Sequence, residues 1–192
     1  MNLPNKLTVA RIILVPFFVA ALLINFPLNN LAALAIFAAA SITDLLDGKI
    51  ARKRGLVTDF GKFADPLADK ILVISALLCF VQLGLCDCVA VIIVLFREFA
   101  VTSIRLIAAS KGKVIAANIW GKVKTVTQMV AVICVLVMQT VLDIGELGVC
   151  LPCCLRCIFL IIGEGLIWVS TFFALLSGVI YVAQNKQFIS DK

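Results

Sequence analysis

Histidine is absent from the chain, which removes imidazole bases and histidine-ligated metals from the outset. Charge is scarce as well: 15% of the 192 residues are Asp, Glu, Lys or Arg, where a soluble domain carries about 25%. That is too little polar surface for a water-exposed globule. Apolar residues make up 63% of the chain instead, and the mean hydropathy is +1.16. A bilayer-crossing helix takes roughly 20 apolar residues, so six such helices with short connections use residues 1–192 as a single membrane domain. Neither an internal repeat nor a long linker interrupts it.

Apolar runs at 8–26, 30–48, 66–84, 88–110, 119–142 and 158–184 predict an all-α integral membrane protein with six transmembrane helices. The bases predict its orientation. With both termini cytoplasmic, only Arg156 of the seventeen Lys and Arg falls on the outer side, as the positive-inside rule requires. The reading is a multi-pass protein of the cell (inner) membrane. A net charge of +6 then reflects anchoring to anionic lipid, and no nucleic-acid partner is expected.

The acids are less evenly spread. Asp44, Asp47, Asp59, Asp65 and Asp69 are five of the eleven, gathered in 26 residues between the second and third runs. Asp44 and Asp47 are spaced i, i+3, and Asp65 and Asp69 i, i+4. On a helix each pair shares a face, about 60° and about 40° apart. Two helix ends would thus bring four carboxylates to the inner membrane surface. Crowded carboxylates raise one another's pKa and are costly to bury. A divalent cation relieves both penalties, and an all-oxygen ligand set favours Mg²⁺ or Mn²⁺. Four shared carboxylates can hold two such ions about 4 Å apart, an arrangement suited to phosphoryl displacement. Asp59, without a partner at helical spacing, reads as loop charge.

Gly48 follows Asp47, Ala51 and Arg52 come a turn later, and Gly61 precedes Asp65 by four. Glycine admits close approach of a ligand to backbone, and arginine grips phosphates through paired hydrogen bonds. Metal, arginine and bare backbone together point to a nucleotide diphosphate.

Written out, the stretch is Asp44-x2-Asp47-Gly48-x2-Ala51-Arg52-x8-Gly61-x3-Asp65-x3-Asp69. It resembles the signature of the CDP-alcohol phosphatidyltransferases at every fixed position and gap. The opening Asn-Leu-Pro-Asn-Lys-Leu-Thr-Val-Ala-Arg, the segment Arg97-Glu98-Phe99-Ala100-Val101-Thr102 and the segment Gly121-Lys122-Val123-Lys124-Thr125 look like the members that act on glycerol 3-phosphate. The resemblance runs to about Val130 and weakens after Leu142. It implies a six-helix membrane enzyme, often a homodimer, that transfers a phosphatidyl group from CDP-diacylglycerol to an alcohol and releases CMP. Asp44, Asp47, Asp65 and Asp69 would hold two metal ions, with Asp69 also the general base. Gly48, Ala51, Arg52 and Gly61 would line the CDP-diacylglycerol site.

An acceptor bearing its own phosphate needs a second basic site. Arg97 and Arg105 lie eight residues apart on one helix, about 80° apart by angle and about 12 Å along the axis. An arginine within a membrane span is costly and therefore a functional suspect. Arg97, Arg105 and Lys122 are the expected acceptor-phosphate residues, with Lys124 a weaker candidate; pairing of Arg97 with Glu98 is the structural alternative. Inositol, inositol phosphate, serine or choline are the competing acceptors. A divalent-cation transporter is a rival of another class, although its site would be expected near the midplane on broken helices.

Six of the eight cysteines, Cys86, Cys88, Cys150, Cys153, Cys154 and Cys157, fall on the expected outer side. Disulfides or small apolar packing residues are the two readings, and neither is catalytic. Glu164, between two glycines near that side, reads as structural.

Overall fold

The computed structural model describes residues 3–54, 59–110, 118–146 and 153–186, and the side chains of 3, 4, 44–54, 59–66, 69, 146 and 153 lie outside the described set. The described residues form six helices: α1 (Leu3–Leu23), α2 (Asn29–Arg54), α3 (Asp59–Gln82), α4 (Cys88–Ser110), α5 (Ile119–Glu146) and α6 (Cys153–Gln184). In lipid every backbone polar group needs an internal partner, which uniformly apolar segments obtain only as helices. Even Pro16 is accommodated within α1.

Three helical stretches, 5–23, 119–145 and 154–184, are long and apolar enough to cross a bilayer. Shorter apolar stretches occupy Asn29–Thr43 and Lys70–Gln82. The charged residues account for the difference from six uniform apolar spans. The helices do not stop where the apolar runs stop: α2 continues through its charged turns to Arg54, and α3 begins at Asp59. The motif therefore lies on two long helices, and Asp59 is the first residue of α3 rather than loop charge.

The turn between α3 and α4 is fixed by Gly84, whose φ of 69° is open to glycine at little cost. Its N–H donates to the Val81 carbonyl at 3.1 Å, and the Leu85 N–H donates to the Phe80 carbonyl at 2.8 Å. That pattern is a Schellman cap, and Leu85 packs on the core that contains Phe80, as such caps favour.

Helix α1 packs on α2 and α3, α6 packs on α4 and α5, and α2 meets α5. Phe18 and Phe37 join α1 to α2 with ring centroids 5.6 Å apart. Fully buried Ala33, Ala40, Ala76, Ala90 and Ala174 allow close helix approach, which matters because lipid supplies no hydrophobic drive between helices. Exposed Phe96, Phe99, Ile161 and Val179 form part of the outward-facing apolar surface. At the end of the bundle remote from the motif, Asp143 on α5 accepts hydrogen bonds from the Asn30 backbone N–H at 3.2 Å and from Asn30 Nδ2 at 3.0 Å. A cavity of about 660 Å³ opens there, lined by Asn25, Asn29, Asp143 and Arg156 among others.

The described cysteines at that end are separate thiols. Cys86, Cys88, Cys154 and Cys157 are free, while Cys150 and the Cys153 side chain lie outside the described residues. Burial, with smaller help from Glu164 and Asp87, pushes the Cys86 thiol up to about 11. It stays protonated at neutral pH and is a poor nucleophile. Glu164 itself is exposed on α6.

Candidate functional site

Both halves of the aspartate motif are helical. Asp44, Asp47, Gly48, Ala51 and Arg52 occupy α2, and Gly61, Asp65 and Asp69 occupy α3. Each aspartate pair keeps the helical register that puts its two positions on one face. Residues 55–58 connect the helices, so Arg54 and Asp59 can stand no more than about 18 Å apart. The side chains at all of these motif positions lie outside the described set.

The surroundings of the motif are described. Helix α1 packs against both motif helices and turns Asn5, Thr8 and Arg11 inward, at 7%, 0% and 1% exposure. Three polar residues at spacings of three form a buried seam beside an apolar continuation through Val15, Phe18 and Leu22. A buried arginine is tolerated only with charge or hydrogen-bond compensation. The N-terminal polar turns of α1 and the motif turns of α2 are the ends of these two packed helices remote from their short connection at 24–28.

A second group of charges lies one residue from the motif. Lys70, the residue after Asp69, donates to Thr102 Oγ1 at 2.6 Å and stands 3.6 Å from Glu98 Oε2. Arg97 Nη1 donates to Glu98 Oε1 at 2.7 Å. Lys124, buried on α5, donates to the same oxygen. One carboxylate therefore gathers cations from α3, α4 and α5. The level of α3 at which the motif ends is also the level of this cluster.

The three expected acceptor residues differ in their surroundings. Arg97 is held on two sides: besides Glu98, its Nε donates to Ser177 Oγ on α6 at 3.1 Å. Its Nη2 faces α5, 3.7 Å from where a β-carbon on Gly121 would stand. Arg105 is exposed, and its Nε donates to the Tyr181 hydroxyl at 3.3 Å. Its guanidinium carbon sits 5.5 Å from the centre of the Tyr181 ring, within cation–π range. Lys122 is exposed on α5, whereas Lys124 points inward to Glu98. The pairing of Arg97 with Glu98 is thus present, and the same carboxylate also anchors the two lysines.

Known proteins resemble the chain along most of its length. The sequence profile described as CDP-alcohol phosphatidyltransferase matches residues 1–176. The chain belongs to the CDP-alcohol phosphatidyltransferases. Among curated relatives, the protein of Bacillus subtilis strain 168 named CDP-diacylglycerol–glycerol-3-phosphate 3-phosphatidyltransferase is 41% identical over 196 residues, covering 96% of this chain and 95% of its own. The Rickettsia bellii protein of the same name is 35% identical over 188 residues, covering 97% of each chain. A Mycobacterium tuberculosis protein named probable phosphatidylglycerophosphate synthase is 44% identical over 134 residues, 68% of this chain and 64% of its own.

For a CDP-alcohol phosphatidyltransferase, the sequence points to the motif and the arginines but passes over their supports. It offers Glu98 only as a partner of Arg97, and it does not single out Lys70 or Thr102. Ser177, Gly178 and Tyr181 lie in a helix that reads as plain apolar filling. One signal is available there: Tyr181 is the only tyrosine of the chain. A phenol near the end of an apolar helix needs a polar partner, and Arg105 is that partner.

Proposed function

We propose that this chain transfers the phosphatidyl group of CDP-diacylglycerol to sn-glycerol 3-phosphate, giving phosphatidylglycerophosphate and CMP. The observation that carries the reading is end-to-end likeness to relatives named for that reaction, at 35–41% identity. The two arginines of α4, Arg97 and the exposed Arg105, support an acceptor that brings its own phosphate. An uncharged alcohol offers those arginines no anion to bind.

In the proposed step the acceptor's primary hydroxyl oxygen bonds to the phosphorus that carries diacylglycerol. The bond from that phosphorus to the bridging oxygen breaks, and CMP leaves with the electron pair. Asp69 takes the hydroxyl proton, which an alcohol must lose to be an effective nucleophile. Arg52 holds the donor diphosphate, with Gly48, Ala51 and Gly61 leaving room for it. Arg97, Arg105 and Lys122 bind and orient the acceptor phosphate. The donor set at Asp44, Asp47, Asp65 and Asp69 is all-carboxylate, which fits Mg²⁺ or Mn²⁺ and suits no softer ion. When bound, such ions stabilise the negative charge that develops on phosphoryl oxygens.

The same reading has six spans, both termini in the cytoplasm and the motif-bearing ends at the cytoplasmic surface of the inner membrane, in a homodimer. A lipid-tailed donor and a water-soluble acceptor then meet at the boundary between their phases.

Purified protein in vesicles containing CDP-diacylglycerol tests the reading. Glycerol 3-phosphate, inositol, inositol phosphate, serine and choline are supplied separately, with and without chelator, and CMP release is followed. Turnover is expected with glycerol 3-phosphate alone and is lost on chelation, then restored by Mg²⁺ or Mn²⁺. CMP release supported only by an uncharged alcohol would overturn the acceptor, and full activity in chelator would overturn the metal site.

A further inference from the structure

Helix α6 contributes no residue to the aspartate motif, and the family match ends within it, at residue 176. Three residues just beyond that point, Ser177, Gly178 and Tyr181, meet the two arginines of α4. On α6, Ser177 and Gly178 each neighbour Tyr181, at i, i+4 and i, i+3.

Each of the three does something different. Ser177 donates its hydroxyl proton to the Ala174 carbonyl at 3.0 Å, which leaves its oxygen free to accept from Arg97 Nε. Gly178 leaves the space through which Arg97 passes: a β-carbon there would stand 2.9 Å from Arg97 Cγ. Tyr181 is 3% exposed, packed with Val101 and Ile104, so its ring and hydroxyl are fixed before any ligand arrives. It accepts from Arg105 Nε and lies against the guanidinium. Binding Arg105 at Nε leaves the Nη1 and Nη2 donors for a bidentate contact with a phosphate. An arginine ordered in advance loses less freedom when it binds.

We propose that the Ser177–Gly178–Tyr181 face of α6 is a positioning element that aims Arg97 and Arg105 at the acceptor phosphate and so sets acceptor affinity. The proposal rests on the acceptor-site reading above. None of the three residues needs to touch either substrate.

Steady-state kinetics on the full-length protein in CDP-diacylglycerol vesicles test it, with Arg105→Ala, Tyr181→Leu, Tyr181→Phe and the double variant Arg105→Ala/Tyr181→Leu. Tyr181→Leu is expected to raise the KM for glycerol 3-phosphate about tenfold, the size of one lost ligand-ordering contact of about 1.4 kcal/mol. The KM for CDP-diacylglycerol and the kcat at saturating acceptor stay within about twofold. Tyr181→Phe, which keeps the ring beside the guanidinium but loses the hydroxyl that accepts from Arg105 Nε, recovers only part of the loss. The double variant is no worse than Arg105→Ala, because the tyrosine acts through that arginine. A raised acceptor KM in Arg105→Ala with none in Tyr181→Leu overturns the positioning role alone. An unchanged acceptor KM in Arg105→Ala overturns the acceptor-site reading and this proposal with it. Equal losses in both KM values and kcat for Tyr181→Leu also overturn it, since they mark general disruption.

Discussion

Asp69→Asn is expected to lower kcat by about 10³-fold or more while the protein extracts and melts like wild type. General-base assistance alone accounts for about 10²–10⁴-fold. Asparagine keeps the shape of the side chain but cannot take the hydroxyl proton, and it is a weaker ligand for a hard cation. The position lies on α3 immediately before Lys70, at the level of the cation cluster. The acceptor's phosphate and its reacting hydroxyl are a few bonds apart, so their two binding groups must lie at similar depth. CMP release by the purified variant is the measurement, with thermal unfolding as the control. Wild-type turnover would remove Asp69 as the base.

The second large effect is on stability. Glu98→Ala leaves Arg97, Lys124 and Lys70 facing one another without their shared carboxylate. Removing one member of a buried charge group costs about 3–5 kcal/mol, chiefly from the uncompensated charge that remains. Thermal unfolding in detergent should show this as a clearly lowered midpoint. Adding Lys124→Met to Glu98→Ala removes one of the cations that Glu98 faced and should recover part of the loss. Additive losses from the two substitutions would mean that the pair is not coupled. The expected result follows from burial: Lys124 is 6% exposed and Glu98 8%, so solvent screens the group weakly.

Much of this was legible in the sequence because the constraints were local. Helix count followed from apolar runs, and α4 begins and ends at the residues the fourth run gives. The motif spacing reported a helical register that α2 and α3 possess. Helix ends were less legible: hydropathy marks where lipid-facing composition stops, whereas hydrogen bonding carries α2 on through its charged turns to Arg54. Contacts between distant helices were not legible at all. Nothing in the neighbourhood of Gly178 indicates that Arg97, on a helix two elements earlier, crosses it. The cysteines likewise admit two opposite readings in sequence, and packing decides between them for Cys86, which is a buried free thiol.

The most direct test supplies labelled glycerol 3-phosphate and labelled glycerol together as competing acceptors. Incorporation of each into lipid gives the ratio of their kcat/KM values, for wild type and for Arg105→Ala. An acceptor-phosphate site that includes Arg105 predicts a wild-type ratio of about 10³ or more in favour of the phosphorylated acceptor, narrowed at least tenfold in the variant. Comparable incorporation of the two alcohols by wild type, or a ratio untouched by loss of Arg105, would contradict it.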